Sequence, residues 1–303
     1  MEDPDLSKGA AWMDGAIIPL SEATISVMDW GFTRSDATYD VVQVWDGAFF
    51  RLEDHLTRFL ASLDKMHLTI EQSPDDIRAI LHQMAAASNL RHAYCAFVVT
   101  RGVQMVPGSR DPRTCRSRFF AWIVPYVHVI AEDVVARGAR LKIAENVERI
   151  STRAVDPTAK NYHWGDITKG LFEALDQGFD TVALVDHHGN ITEGPGFNVF
   201  FVRDGVVMTP VSGVLEGISR KSALEIAQSL GLPVQLREIS KAEFLEADEV
   251  FLTSSGGGIV PITEVDTRIL SNGKPGPITL KMRDEYYRWR KGGPHCTPIN
   301  YDG

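Results

Sequence analysis

The stretch Thr38–Leu52, TYDVVQVWDGAFFRL, contains two strand-like runs on either side of Asp46-Gly47. An Asp-Gly pair between apolar runs is typical of a two-residue β-hairpin. The segment that follows has helical periodicity, and its apolar residues share one face. Those residues are Leu52, Leu56, Phe59, Leu60 and Leu63. A hairpin that runs directly into an amphipathic helix favours an α+β fold over a regular βαβ alternation.

The rest of the chain supports the same fold class. YCAFVVTRG and RFFAWIVPYVHV are rich in β-branched and aromatic residues, which predicts buried strands. The polar loop between them is long enough to suggest a function. In the second half, helices are predicted from about Asp166 to Gln177 and from Ser219, the expected N-cap, to just before Gly231. A capping box at Ser240–Glu243 predicts a further short helix.

Length and composition predict two globular domains. The chain has 303 residues, of which 44% are hydrophobic and 23% charged. We expect a small α/β domain over residues 1–126, a linker over 127–136 and a larger domain over 137–303. The net charge of -9 argues against nucleic acid as a partner, because phosphate backbones attract basic surfaces. No apolar run is long enough to span a membrane.

The cysteines and the N-terminal residues bear on location. The three cysteines are scattered without metal-binding spacing, which is typical of reduced cytoplasmic thiols and predicts no metal. The first residues are acidic and polar, so they resemble neither a signal peptide nor a transit peptide. We therefore expect a cytoplasmic protein.

Three features are suited to binding a phosphate. GISR (Gly217–Arg220) begins a helix behind a glycine, where unpaired N–H groups favour an anion, although an ordinary N-cap has the same pattern. TSSGGG (Thr253–Gly258) follows an apolar strand and forms either a nest of N–H donors or a flexible turn. Arg58 lies off the apolar stripe of its helix and faces either solvent or the other domain. No Walker A loop or GxGxxG fingerprint is present.

Lys160 differs from its neighbours among the lysines. Lys169 points away from the predicted buried face of its helix (Ile167, Leu171, Ala174 and Leu175), which makes it a surface residue. Lys160 precedes that helix and stands beside Tyr162, His163 and Trp164. An amine in an apolar, aromatic site has a lowered pKa and becomes a nucleophile that forms Schiff bases with carbonyls.

Glu193 interrupts an apolar strand just before Gly-Pro-Gly. A carboxylate that enters a core requires a partner, either a buried arginine, a backbone donor or a protonated ring nitrogen.

A Schiff-base lysine, a phosphate cup and a carboxylate for a pyridinium nitrogen are the parts of a pyridoxal phosphate site. The chain resembles the class IV (fold-type IV) pyridoxal phosphate-dependent aminotransferases, and its details most resemble the (R)-selective amine transaminases. The resemblance covers nearly the whole chain and rests on five blocks in the family's order. They are SDATYDVVQVWDGAFFRLEDHLTRF, DPTAKNYHWGDITKGLFEA, TEGPGFNVF, GVLEGISRKS and TSSGGGIVPI.

The resemblance implies a small α/β domain, a larger pseudo-barrel domain that binds the cofactor, and a role for each matching residue. Lys160 matches the Schiff-base lysine and Glu193 the partner of the pyridine nitrogen. The implied cofactor-binding residues are Arg58, Lys160, Glu193, Asn198, Leu215, Ile218, Ser219 and Ser255. The implied substrate-binding residues are Arg34, Tyr39, Val41, Phe97, Arg110, Tyr162, Trp164 and Gly256. Arg58, as the phosphate-binding arginine, is then expected to face the other domain.

The implied activity is transfer of an amino group from a primary amine, (R)-configured, to a keto acid such as pyruvate. The resemblance also implies a homodimer with pockets near the subunit interface. Many amine transaminases have His where this chain has Arg34 and a Thr pair where it has Ser254-Ser255. Arg34 or Arg110 could instead bind a substrate carboxylate, which would favour an amino acid aminotransferase of branched-chain or D-amino acid type. A non-catalytic protein that binds a phosphorylated ligand is the alternative from another class.

Overall fold

The computed structural model describes residues 5–302. The helices are α1 (Trp30–Arg34), α2 (Leu52–Lys65), α3 (Pro74–Ser88), α4 (Glu132–Arg137), α5 (Gly165–Asp176), α6 (Ile218–Ser229), α7 (Lys241–Phe244) and α8 (Pro277–Arg290). The strands are β1 (Ala10–Met13), β2 (Ala16–Pro19), β3 (Ala37–Trp45), β4 (Ala48–Phe50), β5 (Ala93–Gln104), β6 (Cys115–Pro125), β7 (Ala139–Glu148), β8 (Thr181–Val185), β9 (Glu193–Gly194), β10 (Phe197–Arg203), β11 (Val206–Pro210), β12 (Val234–Arg237), β13 (Glu249–Ser254), β14 (Gly258–Val265), β15 (Arg268–Ile269) and β16 (Cys296–Pro298).

The chain divides into two compact units that are not continuous in sequence. Unit 1 contains residues 5–127, the short segment Ala159–Tyr162 and residues 290–302. Unit 2 contains His128–Thr158 and His163–Trp289. This division differs from the predicted one because strand pairing and side-chain contacts place Ala159–Tyr162 and the C-terminal strand β16 in unit 1. The segment expected to be a linker contains all of helix α4 except its last residue, Arg137.

Unit 1 is built on an antiparallel sheet with strand order β16-β4-β3-β5-β6-β1-β2. The predicted hairpin is confirmed: β3 and β4 pair through a turn in which Asp46 and Gly47 have φ of 48° and 75°. Positive φ at both central residues gives the turn the twist of the flanking strands. The side chains of α2 and α3 cover one sheet face with a large apolar core, as the α2 periodicity predicts.

Unit 2 combines antiparallel hairpins with parallel strand pairs. Along the order β12-β11-β10-β13-β14-β7-β8, the pairs β11–β12, β7–β14 and β7–β8 are parallel. One apolar core lies along β7, β10, β13 and β14, and a smaller one lies beneath α5. Across residues 5–302, none of the helices combines the length and apolarity required to cross a membrane.

Three local predictions for unit 2 require correction. The N-cap of α6 is Gly217 instead of Ser219, and no described side chain caps this helix. Leu175 of α5 is 51% exposed, because the buried stripe is narrower than the predicted one and consists of Ile167, Gly170 and Ala174. At α7, Ser240 accepts from the Glu243 N–H as predicted. The Glu243 carboxylate, however, binds Arg237, so only half of the capping box is formed.

Candidate active site

The backbone of Lys160 is fixed within unit 1 by strand β3 and helix α2. Its carbonyl oxygen accepts hydrogen bonds from Thr38 Oγ1 at 2.6 Å and from Tyr39 N at 3.3 Å. Its N–H donates to Ser62 Oγ at 3.2 Å. Asn161 forms a β-bridge with Thr38. The lysine is therefore added to the edge of the sheet, which holds its Cα in place while the side chain extends.

The side chain of Lys160 lies against an aromatic wall on the sheet face that α2 and α3 do not cover. Lys160 Nζ is 4.3 Å from the centroid of the Tyr39 ring, which stacks on Tyr162 at 4.1 Å and 9°. We call this group the Lys160 wall: Tyr39, Val41, Tyr94, Ala96, Val98, Phe120, Trp122 and Tyr162. Burial raises the pKa of Tyr94 to about 12 and that of Tyr162 further, so both phenols remain protonated at neutral pH.

Phe97 does not belong to this wall, which corrects its prediction as a pocket residue. Tyr39 pairs with Val98 across β3 and β5, whereas Phe97 pairs with Asp40. Because successive side chains of a strand point to opposite faces, Phe97 lies on the helix-covered face. It is fully buried there, edge-on to Phe59 at 4.8 Å. Its role is in the core.

Arg58 is bound to a buried acid of its own unit. The Asp40 carboxylate, which is fully buried, accepts from Arg58 Nε and NH2 at 2.8 Å each and lies 2.7 Å from His55 Nδ1. Burial alone would raise the pKa of Asp40, but Arg58 and His55 hold it well below its usual value. Helical periodicity left open whether Arg58 faces solvent or the other domain. In the structure, its guanidinium binds the carboxylate of Asp40 on β3.

The two arginines proposed to bind a substrate carboxylate, Arg34 and Arg110, are both exposed. The Arg34 guanidinium is exposed and lies 3.3 Å from the centroid of the Trp30 ring. Arg110 is exposed in the loop between β5 and β6. Arg113, in the same loop, donates to Asp111 through both Nε and NH2. Arg34 is thus stacked on Trp30, and Arg113 forms an ion pair with Asp111.

In unit 2, donors surround the Glu193 carboxylate, which is 7% exposed. Leu215 N donates to Oε2 at 2.9 Å, and Asn198 Nδ2 lies 3.5 Å from the same oxygen. Asn198 Nδ2 also donates to Leu215 O at 2.8 Å. Arg149 NH2 donates to Oε1 at 3.1 Å. We call Glu193, Asn198, Leu215 and Arg149 the Glu193 cluster. Its donors favour the ionised carboxylate, which is the form that attracts a cation.

The N-terminus of α6 follows Leu215 directly. This helix has no side-chain cap within the described chain, so its first N–H groups, including those of Ile218 and Ser219, remain suited to an anion. A Cβ at Gly217 would lie 2.1 Å from Asn198 Oδ1, so the backbone approaches the Glu193 cluster closely. Ser219 is buried, and its Oγ lies 3.1 Å from Tyr286 OH.

The predicted glycine turn connects β13 to β14. Ser254 Oγ donates to Gly196 O at 2.8 Å and accepts from Gly256 N at 3.2 Å. Gly256 O in turn accepts from Val129 N at 2.7 Å. These bonds make TSSGGG an ordered turn in which Ser255 stands between two fixed neighbours. Trp164 approaches the same region, since a Cβ at Gly196 would lie 3.6 Å from its ring.

Several residues of these clusters are not among the sequence-based predictions. Asp40 stands in the middle of an apolar strand, and this buried-charge signal is the same one that identified Glu193. His55 precedes Arg58 by one helical turn and was therefore detectable as its neighbour. Arg149, Asp166 and Tyr286 gave no local signal, because their partners are distant in sequence.

The donor set fits pyridoxal phosphate. An uncapped helix N-terminus suits the phosphate, and the buried Glu193 carboxylate suits a protonated ring nitrogen. The amine of Lys160 suits the aldehyde. Among residues 5–302 there is no group of three or more His, Cys, Asp or Glu that could hold a metal ion.

Comparisons with known proteins give the same assignment. The family model of amino-transferase class IV matches residues 37–265. A putative branched-chain-amino-acid aminotransferase of Methanocaldococcus jannaschii is 29% identical over 91% of this chain and 94% of its own length. A D-alanine aminotransferase of Listeria innocua is 30% identical over 89% of this chain and 92% of its own length.

A solved structure shows the same two-domain fold. It is a T.th. branched-chain amino acid aminotransferase with pyridoxamine 5'-phosphate, which superposes with a TM-score of 0.90. The two proteins are 27% identical, and the match covers 97% of this chain and 99% of that one. The chain belongs to the class IV aminotransferases and is a pyridoxal 5'-phosphate-dependent aminotransferase of fold type IV.

Proposed function

We propose that the protein is an amino acid aminotransferase, of branched-chain or D-amino acid type, that uses a keto acid as the acceptor. The single observation that carries its catalytic part is the fixed backbone of Lys160, which presents Nζ 4.3 Å from the Tyr39 ring. The preference for amino acids over simple amines is supported by the relatives, since both the M. jannaschii and the L. innocua proteins are named as amino acid aminotransferases.

We assign the residues as follows. Lys160 Nζ would hold the cofactor through its aldehyde carbon and, when a substrate amine takes its place there, would act as the base that removes the proton from the substrate Cα. The Glu193 carboxylate would accept a hydrogen bond from the protonated ring nitrogen and keep that nitrogen protonated. Bound pyridoxal phosphate supplies an electron sink for the charge left at Cα. The Lys160 wall excludes water and fixes the reacting carbon beside Nζ.

The phosphate is assigned to backbone and side-chain donors. The N–H groups of Ile218 and Ser219, supplemented by Ser255, provide the donors at a helix N-terminus and a turn. Asp40 binds the Nε and NH2 edge of Arg58 and fixes the plane of the guanidinium, which we assign to the phosphate. Asp40 and His55 then act as positioning residues for this guanidinium. These groups contribute affinity and orientation.

The substrate is tested with a donor panel. Purified protein is incubated with L-leucine, D-alanine or (R)-1-phenylethylamine, and with pyruvate or 2-oxoglutarate as the acceptor. We expect turnover with one of the two amino acids to exceed that with the amine. If the amine is the better donor, the amino acid assignment fails. If no donor reacts and Lys160 gives no borohydride-reducible bond with the cofactor, the aminotransferase assignment fails as well.

A second candidate is transfer from (R)-configured amines, which one observation favours. The Lys160 wall presents aromatic and aliphatic groups, including Val41, Phe120 and Trp122, that suit an apolar amine. Arg34 would then serve only the keto acid half of the cycle. The same donor panel decides between the two candidates, because a phenyl group benefits from this wall whereas an amino acid also requires a cation for its carboxylate.

We also propose that the protein is a homodimer. Unit 1 exposes large apolar side chains, a feature that marks association surfaces when such residues form a patch. They are Val27 at 74%, Met28 at 68%, Phe32 at 67%, Met105 at 61% and Val106 at 52% exposed. The loop from Val103 to Arg113, which carries the last two, is the segment we assign to the partner's pocket. Light scattering coupled to size exclusion tests the proposal, and a monomer at micromolar concentration would contradict it.

A further inference from the structure

Arg149 joins the buried carboxylate of Glu193 to the partly buried carboxylate of Asp166 in unit 2. Its NH1 donates to Asp166 Oδ2 at 2.6 Å and its NH2 donates to Glu193 Oε1 at 3.1 Å. The three side chains are 8%, 12% and 9% exposed, respectively. Burial would lower the pKa of Arg149, but Glu193 and Asp166 raise it above its usual value. The guanidinium is therefore a permanent cation held in one plane by two anions.

Asp166 fixes the far end of this arrangement. It lies in the first turn of α5, where carboxylates are stabilised by the helix dipole. Its Oδ2 also accepts from Ile150 N at 2.7 Å and its Oδ1 from Ile167 N at 2.8 Å. Asp166 thus has a backbone donor on each side and has little freedom to move. The arginine that it holds is correspondingly fixed.

The charges around Glu193 include a second buried arginine. Asp166 and Glu193 contribute two negative charges and Arg149 one positive charge when all three are ionised. The buried Arg220 guanidinium also interacts electrostatically with Glu193. Arg149 donates a hydrogen bond to the Glu193 carboxylate, so it can set the direction of that carboxylate as well as balance its charge.

We propose that Arg149 is a positioning residue that orients the Glu193 carboxylate toward the ring nitrogen of the cofactor, with Asp166 as the anchor of its guanidinium. This inference rests on the proposed pairing of Glu193 with that nitrogen. A planar guanidinium can hold both carboxylates in fixed directions, whereas the point charge of a lysine cannot. Arg149 acts only through Glu193 and touches no reacting atom.

Binding of pyridoxamine 5'-phosphate is compared with binding of its 1-deaza analogue, in which carbon replaces the ring nitrogen. Neither ligand has an aldehyde, so neither reacts with Lys160. Calorimetric titration of the apoprotein gives a dissociation constant for each ligand. We call the dissociation constant of the 1-deaza analogue divided by that of pyridoxamine 5'-phosphate the nitrogen preference. The variants are Glu193→Gln, Arg149→Lys and Asp166→Asn. Arg140→Lys is the matched control, since Arg140 forms a two-pronged pair with Glu264 in the same unit.

For the unaltered protein we expect a nitrogen preference of about tenfold or more, and near unity for Glu193→Gln. Arg149→Lys should lower the preference about tenfold and Asp166→Asn severalfold in the same direction, while Arg140→Lys leaves it unchanged. If Arg149→Lys does not fold, Asp166→Asn decides the question.

The two ways of failing are distinguishable. A nitrogen preference that Glu193→Gln leaves intact overturns the proposed pairing of Glu193 itself. A preference that disappears in Glu193→Gln but persists in Arg149→Lys and Asp166→Asn overturns only the role of Arg149. If those two variants weaken both ligands equally, Arg149 supports the fold alone and the inference is wrong.

Discussion

Lys160 Nζ lies 4.3 Å from the centroid of the Tyr39 ring, while the Lys160 carbonyl accepts a hydrogen bond from the Tyr39 backbone. One tyrosine therefore fixes both ends of the lysine, its backbone through the sheet edge and its amine through the ring face. This arrangement limits the directions from which a carbonyl carbon can meet Nζ.

Lys160→Ala should abolish the covalent cofactor bond and reduce turnover by several orders of magnitude, because the variant lacks the nucleophilic amine. The measurement is borohydride reduction followed by mass spectrometry of the labelled peptide. Lys169→Ala is the control, since Lys169 is exposed on α5 and donates to the Asn146 carbonyl. Labelling that persists in Lys160→Ala would contradict the assignment.

Tyr39→Ala should destabilise the protein by about 3–5 kcal/mol, the range for deletion of a buried aromatic ring. Tyr39 is 7% exposed and stacks on Tyr162, so the deletion leaves a cavity in the Lys160 wall. Tyr39→Phe keeps the ring and should change stability by less than about 1.5 kcal/mol. Urea unfolding of the apoproteins measures both values. Equal losses in the two variants would show that the hydroxyl, not the ring, is what matters.

Stability should fall as the pH decreases below about 6.5, in part through His55. Burial lowers the pKa of His55 from its usual 6.5, so in this range the unfolded chain binds a proton that the folded chain does not. The slope contributed by one such group is at most about 1.4 kcal/mol per pH unit. His55→Gln should flatten the curve between about pH 6.5 and 5, as measured by urea unfolding. His82, whose pKa burial also lowers, is present in both proteins and cancels in the comparison.

Asp40 acts at lower pH. The pKa of Asp40 in the folded protein is below the usual 3.8. Its contribution to the free energy of unfolding is therefore complete above about pH 3.8 and is lost as the pH falls through the pKa of the folded state. At neutral pH, Asp40→Asn should cost about 3–5 kcal/mol, because it leaves the Arg58 guanidinium without its anionic partner. Unfolding in urea at pH 7 measures the loss, and a change below about 1 kcal/mol would show that Arg58 finds another anion.

Gly217→Ala should weaken binding of pyridoxamine 5'-phosphate without unfolding the protein. The added Cβ would lie 2.1 Å from Asn198 Oδ1, so Asn198 must move away from Leu215 and Glu193. Loss of one such hydrogen bond corresponds to about a tenfold weaker complex. Gly165→Ala is the control, because a Cβ there meets no described atom within 4 Å. If the affinity of Gly217→Ala for pyridoxamine 5'-phosphate is unchanged, the N-terminus of α6 is not part of the binding site.

Arg34→Gln should raise the KM for pyruvate about tenfold with little change in kcat, as expected for loss of a charge-assisted hydrogen bond to a carboxylate. Stacking on Trp30 holds the Arg34 guanidinium in place before the substrate arrives. Steady-state kinetics of Arg34→Gln and Arg110→Gln compare the two candidates. If the KM for pyruvate rises only in Arg110→Gln, the carboxylate of pyruvate binds Arg110 in the loop between β5 and β6.

Local patterns in the chain were enough to predict several secondary-structure elements, among them β3, β4, α2, α5 and α7, and to single out Lys160 and Glu193 as candidate site residues. Asp46-Gly47 predicted the hairpin, and the stripe beginning at Leu52 predicted α2, because turn geometry and helical periodicity are local properties. Lys160 and Glu193 were identified because each is a charge placed where local context does not explain it.

Which groups meet one another depends on the three-dimensional arrangement of the chain. Whether Phe97 faces the wall or the core depends on its register with Asp40. Asp40, the partner of Arg58, is 18 residues away, and the two partners of Arg149 are 17 and 44 residues away, separations at which periodicity carries no information. Lys160 itself belongs to unit 1 although the chain on both sides belongs to unit 2, because Thr38, Tyr39 and Ser62 hydrogen-bond its backbone. Local patterns fix secondary structure, but contacts between distant residues fix the site.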